Sequence, residues 1–123
     1  MCISGDVWEL SEEQWAKVDE GIGFFKAVRK IIRDGVSTFH GEVSQSWRHP
    51  EGWQAVCRTA GGETLTVIHT FGGKFPEKVI LPVSGKKILR VMNSEGNCVT
   101  LENGKLTAEL KAPFEAIAIH TGD

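Results

Sequence analysis

Residues 97–110 read NCVTLENGKLTAEL, and the fold class follows from them. Asn103-Gly104 tolerates positive φ at both positions, as a type I′ turn demands, so Asn97–Leu101 and Lys105–Leu110 are expected as the two arms of a hairpin. In the second arm Leu106, Ala108 and Leu110 alternate with Thr107 and Glu109. That period of two marks a strand with one face on a core and the other toward water.

Outward from this hairpin the same texture continues. Runs rich in Val, Ile, Leu and Thr are expected as strands over Trp53–Thr59, Glu63–Thr70, Lys78–Pro82, Lys87–Met92 and Phe114–His120. Turn residues such as Gly61-Gly62 and Glu95-Gly96 separate them about every eight to twelve positions, the spacing of an antiparallel sandwich or barrel. Pro50, Pro76, Pro82 and Pro113 fall at or outside the strand ends, where a missing N–H does no harm. Val36–Pro50 is less regular and reads as a short strand plus a loop. The expected architecture is an antiparallel β-sandwich of about seven or eight strands.

The N-terminal quarter has a different period. Trp15, Val18, Ile22, Phe25, Val28 and Ile32 recur at spacings of three and four with charges between them, the stripe of an amphipathic helix. Ser11 with Gln14 forms a capping box at its start, and Glu12 and Glu13 sit where the helix dipole favours anions. Arg29, Lys30 and Arg33 load its last turns, and Gly35 is expected to close it in the left-handed conformation. Gly21 and Gly23 weaken its intrinsic propensity, so packing must hold it. The fold class is therefore mostly β with one long N-terminal helix.

Composition sets the limits. The 123 residues (13.5 kDa) support one core and not two. With 14 Lys plus Arg against 16 Asp plus Glu, a net charge of −2 and a pI of about 6.1, no basic footprint points to nucleic acid or to a membrane surface. No apolar run approaches the roughly 18 residues of a spanning helix. Cys2, Cys57 and Cys98 are odd in number and too scattered for a metal knuckle, which fits a reducing compartment. No secretory leader opens the chain, and a cytoplasmic location is expected. The abrupt MCISGD opening, apolar and then straight into a helix, reads as the continuation of a longer chain.

Groups with chemical potential are few. None of His40, His49, His69 and His120 is spaced with another His, Cys or carboxylate for metal binding, so they are taken as structural or surface residues, with no metal and no cofactor expected. Cys57 and Cys98 lie in expected strands, where a thiol acts as a small hydrophobe. Gly61-Gly62 and Gly72-Gly73 connect strands and do not precede a helix, so they are turns and not phosphate loops. Asp6 follows an apolar triplet and Ser4-Gly5, a place at the C-terminal end of a strand where barrel enzymes build sites. An aspartate there also serves simply as a turn cap, its commoner use. Among four tryptophans, Trp15 and Trp53 are expected in the core, whereas Trp8 and Trp47 lie in irregular segments. Trp47, expected at most partly exposed, and Asp6 are the candidate sugar contacts.

The run CISGDVWELSEEQWAKVDEGIGFFKAVRKIIRDG resembles the close of the catalytic barrel in clan D glycoside hydrolases, the melibiase-type α-galactosidases and α-N-acetylgalactosaminidases. Ser4-Gly5-Asp6 and Leu10-Ser11-Glu12-Glu13 match the end of that barrel's last strand and the start of its final helix. HPEGWQAVCRTAGGETLTVIHTF resembles the first strands of the family's C-terminal antiparallel domain, and VSGKKILRVMN, LENGKLTAEL and APFEAIAIHTG resemble its closing strands. The resemblance implies a division at residue 35. Residues 1–35 would be a residual barrel strand and helix, and 36–123 the C-terminal β-sandwich. The family's two catalytic aspartates lie upstream in the barrel, and nothing in this chain matches either, so no catalytic residue is assigned here. The implied role is a non-catalytic accessory domain whose partners are the parent's catalytic barrel, a homo-oligomer mate and an α-galactoside. An independent carbohydrate-binding sandwich, with Trp47 or Trp53 as platform, and a small enzyme using a histidine are the alternatives.

Overall fold

The computed structural model describes residues 7–44, 46–93 and 96–123. Among them a short 3-10 turn, Val7–Glu9, leads into one long helix, α1 (Glu12–Asp34). Eight strands follow: β1 (Val36–Val43), β2 (Gly52–Ala60), β3 (Glu63–Thr70), β4 (Lys78–Pro82), β5 (Lys87–Asn93), β6 (Val99–Glu102), β7 (Lys105–Glu109) and β8 (Ala116–Gly122). They form two antiparallel sheets, of order β1-β2-β3-β8-β5 and β4-β7-β6. The chain is thus mostly β with one helix near its N-terminus, as the sequence patterning indicates.

One core joins the sheets. Ala55, Cys57, Ile68, Ile117 and Ile119 of the larger sheet meet Val79, Leu81, Leu106 and Ala108 of the smaller one, with Leu110 just beyond β7. The alternation read in 105–110 is realised: Leu106 and Ala108 are fully buried and Leu110 nearly so, while Thr107 and Glu109 are half-buried. Replacing a side chain such as Leu106 by Ala at such a site costs about 2–5 kcal/mol. The hairpin turns also agree. Asn103 (φ 50°) and Gly104 (φ 72°) join β6 to β7, and Gly61 (φ 58°) and Gly62 (φ 84°) join β2 to β3, so both central residues of each turn are at positive φ. For the third expected turn, Gly96 has φ 61° and Glu95 lies outside the described residues.

Several boundaries differ. β1 is a full eight-residue strand, paired from Val36↔Thr59 to Val43↔Gly52. As an edge strand it has polar residues on both faces, which hides its period. β8 begins at Ala116 and not at Phe114, because Phe114 takes φ 58° and Glu115 is held by Thr70 through its backbone N–H (3.0 Å). β6 begins at Val99 because Asn97 turns its side chain inward to Glu115. β5 carries a bulge between Ile88 and Arg90, which leaves Leu89 without a register partner.

The helix starts as expected. The Ser11 hydroxyl accepts from the Gln14 N–H at 3.3 Å and the Ser11 N–H donates to the Gln14 side chain at 2.8 Å. The C-terminal half of α1 lies on the outer face of the larger sheet. Val28 and Ile31 are buried with Leu65, and Phe24, Ala60 and Val67 pack around them. The buried stripe is therefore Phe24, Val28, Ile31. It displaces the expected Phe25 and Ile32, and Ile32 is 40% exposed. Arg58 explains the rotation: its guanidinium donates to the Ile31 carbonyl (3.1 Å) and the Ile32 carbonyl (2.8 Å) and fixes the helix end. Gly35 does not take the left-handed conformation expected of it, since its φ is −76°. Close approach is what requires glycine there: a Cβ would lie 2.5 Å from the Ile31 carbonyl oxygen and 2.7 Å from Arg58 Cγ. No helix among the described residues is long and apolar enough to cross a membrane.

Candidate functional site

At one end of the sandwich the end of β1, the start of β2 and residues 73–76 enclose a groove of about 810 Å³, open to solvent. Its floor is aromatic. Trp53 and Phe75 are both half-buried, packed against the main core on one side and lining the groove on the other. Trp53 stands opposite Glu42 in the β1–β2 register, and directly paired residues project to the same side of a sheet, so the carboxylate of Glu42 is placed beside the indole. Glu51 and Lys74 complete the rim with Ser44.

Backbone geometry builds this end. The Ser44 N–H donates to the Glu51 carbonyl (2.9 Å), and the Glu51 N–H donates to Ser44 Oγ (2.9 Å). The Gly52 N–H reaches the Gly72 carbonyl (2.9 Å) while the Phe71 N–H reaches Gly52 (2.8 Å). These bonds tie the start of β2 to the chain leaving β3. Gly52 has φ 106°, and a Cβ there would run into the Glu42 carbonyl oxygen. Gly73 has φ 70°, and a Cβ there would lie 2.9 Å from both Cβ and Oε2 of Glu51. Glycine at these two positions leaves room for the Glu42 backbone and the Glu51 side chain.

The residues singled out from sequence are not gathered here. Asp6 lies outside the described residues. Trp47 is 83% exposed, which corrects the expectation of at most partial exposure. It sits in a bend closed by the His49 N–H on Ser46 Oγ (3.0 Å), and the Arg48 guanidinium lies over its ring, 4.7 Å from the centroid. It does not line the groove. Trp53, expected as a core residue, provides part of the floor. Sequence reasoning missed Glu42, Glu51, Lys74 and Phe75. They lie in three segments, the end of β1, the start of β2 and the chain beyond β3, brought together by strand pairing, and only the tryptophan opening β2 hinted at the place.

Other titratable groups have structural surroundings. His120 Nε2 lies 2.8 Å from Glu63 Oε2 on the outer face, a pair invisible to local spacing because the partners are 57 residues apart. Cys57 is buried, and burial pushes its thiol above the usual range, partly offset by the Thr66 hydroxyl 3.6 Å from its sulfur. Cys57 and Cys98 are free thiols. Among the described residues no group of three or more His, Cys, Asp or Glu is arranged to hold a metal. The groove thus offers aromatic faces and hydrogen-bonding groups, a chemistry suited to binding.

Comparison with family models, with curated proteins and with solved structures returned no match to this chain.

Proposed function

We propose that the chain is a non-catalytic accessory domain of an α-galactosidase-like glycoside hydrolase, stabilising the catalytic barrel or its oligomer. Residues 1–35 belong to the barrel's last strand and helix, and residues 36–123 form the C-terminal sandwich. The observation that carries this reading is the division of α1 into two halves. Its second half packs on the sheet with Val28 and Ile31 buried, whereas its first half buries no residue, with Val18 and Ile22 half-buried and Trp15 44% exposed. A hollow of about 530 Å³ between Lys17, Met92 and Phe114, the last of these 76% exposed, continues that partly covered surface onto the sandwich. A helix whose apolar stripe outruns its own sheet is suited to a second partner. The free thiols of Cys57 and Cys98 support a cytoplasmic setting.

The family's catalytic aspartates lie in the upstream barrel, so the purified chain is expected to show no turnover of an aryl α-galactoside. Hydrolysis above that of an Asp6→Ala control would overturn the non-catalytic assignment. The groove floored by Trp53 favours a second reading, an independent carbohydrate-binding sandwich.

A further inference from the structure

We propose that the groove at the end of the sandwich binds a neutral oligosaccharide, with Trp53 and Phe75 as the stacking floor and Glu42, Ser44, Glu51 and Lys74 as the hydrogen-bonding rim. The inference rests on the second reading given above, which it deepens by naming the ligand class and the contact residues, and it stands apart from the accessory role. A sugar ring has an apolar face of C–H groups and an edge of hydroxyls. It is therefore recognised where an aromatic surface adjoins fixed acceptors and donors. Both halves of that requirement meet here.

The polar half is unspent. Glu42, Glu51 and Lys74 line the groove with opposite charges, yet none of the three side chains makes a hydrogen bond or ion pair with a described residue. The Ser44 oxygen accepts from Glu51 N–H, which leaves its own O–H to donate. The apolar half is supported from below, because Trp53 and Phe75 pack against the main core. Their orientation is thus largely set before a ligand arrives.

The backbone shapes this end of the molecule. Gly41 (φ 111°), Gly52 (φ 106°) and Gly73 (φ 70°) all adopt positive φ at this end of the molecule. In the case of Gly73, the missing side chain leaves the space that the Glu51 carboxylate occupies on the rim. The open shape indicates what class of sugar fits. A groove of about 810 Å³ that is open to solvent has room for consecutive units of a chain across its floor, where an enclosed pocket would select one terminal ring. Two carboxylates against one ammonium accept from neighbouring hydroxyls without demanding a charged ligand.

The test is a titration of the intact chain followed by the indole N–H resonances, with Trp53→Phe used to assign its signal. Raffinose and cellotetraose, raised to millimolar concentrations, are the sugar probes, and tetralysine is the control for an acidic groove that prefers cationic peptide. The expected result is a saturable shift of the Trp53 indole with at least one of the two sugars. It should weaken about tenfold in Glu42→Ala/Glu51→Ala and be unchanged in Trp47→Ala. Both glutamates are exposed, so the double variant keeps its fold, which its circular dichroism checks. No saturable shift with either sugar, a shift undiminished in the double variant, or saturation by tetralysine alone would overturn the proposal. None of these outcomes bears on whether the chain lacks hydrolytic activity.

Discussion

Asn103 and Gly104 occupy the left-handed region that the β6–β7 turn needs, with φ of 50° and 72°. A β-branched residue at Gly104 is forced into that region at about 1–2 kcal/mol. Gly104→Val is therefore expected to lower the melting temperature by several degrees, and an unchanged transition by circular dichroism would contradict the turn. A second residue carries stability that the sequence concealed. Glu115 is buried, with its carboxyl accepting from the Asn97 amide (3.2 and 3.1 Å) and from the Lys111 N–H (2.8 Å). Asn97 also donates to the Glu109 carbonyl (2.8 Å), so one amide ties the approach to β6, the end of β7 and the approach to β8. Glu115→Ala leaves buried donors without acceptors and should cost about 1–3 kcal/mol in denaturant unfolding. At Cys57 burial favours the protonated thiol, so native chain treated with a thiol reagent at mildly alkaline pH should react at Cys98 and spare Cys57 until it unfolds. Because the folded-state value is raised, the neutral thiol's contribution is fully present below the unfolded value. It declines as pH rises past that value, which adds to alkaline destabilisation.

Among the elements, α1 separates into a docked second half and a first half that is only partly covered. Val28→Ala removes a buried methyl pair beneath the helix and should destabilise by about 1–3 kcal/mol. Trp15→Glu, on the first half, should leave the unfolding transition of the chain within about 0.5 kcal/mol. It should also abolish the concentration-dependent self-association that light scattering is expected to show for the unmodified chain. A strictly monomeric chain, or a large loss of stability in Trp15→Glu, would show that the first half of the helix is not a contact surface. The elements also show where sequence is legible. β7 could be read because one of its faces is wholly in the core, so Leu106 and Ala108 alternate cleanly with polar neighbours. The capping box could be read because it is local, four consecutive residues satisfying their own backbone. β1 could not, since an edge strand half in water has no reason to alternate, and the rotation of the helix stripe toward Ile31 depends on Arg58, 27 positions away.

At the scale of the whole molecule, the surfaces left open among the described residues include the groove at the sandwich end and the partly covered flank of α1. The two were not equally legible in one dimension. Trp53 marked the groove only as a large apolar residue at a strand start, and its rim comes from Glu42, Glu51 and Lys74, which approach only when β1 pairs with β2 and the chain beyond β3 folds back on Gly52. The helix flank was foreshadowed more directly, because an apolar stripe longer than the sheet can cover is already visible as periodicity. If that flank faces a barrel, the chain is one part of a larger enzyme and contributes stability where the barrel contributes chemistry. The decisive measurement is to determine the coding sequence immediately upstream of Met1 and to express that region with and without residues 7–123. The expected result is a barrel bearing two catalytic aspartates that hydrolyses an aryl α-galactoside and melts several degrees lower when the sandwich is removed. An upstream region with no such barrel, or α-galactoside hydrolysis residing in residues 7–123 alone, would contradict it.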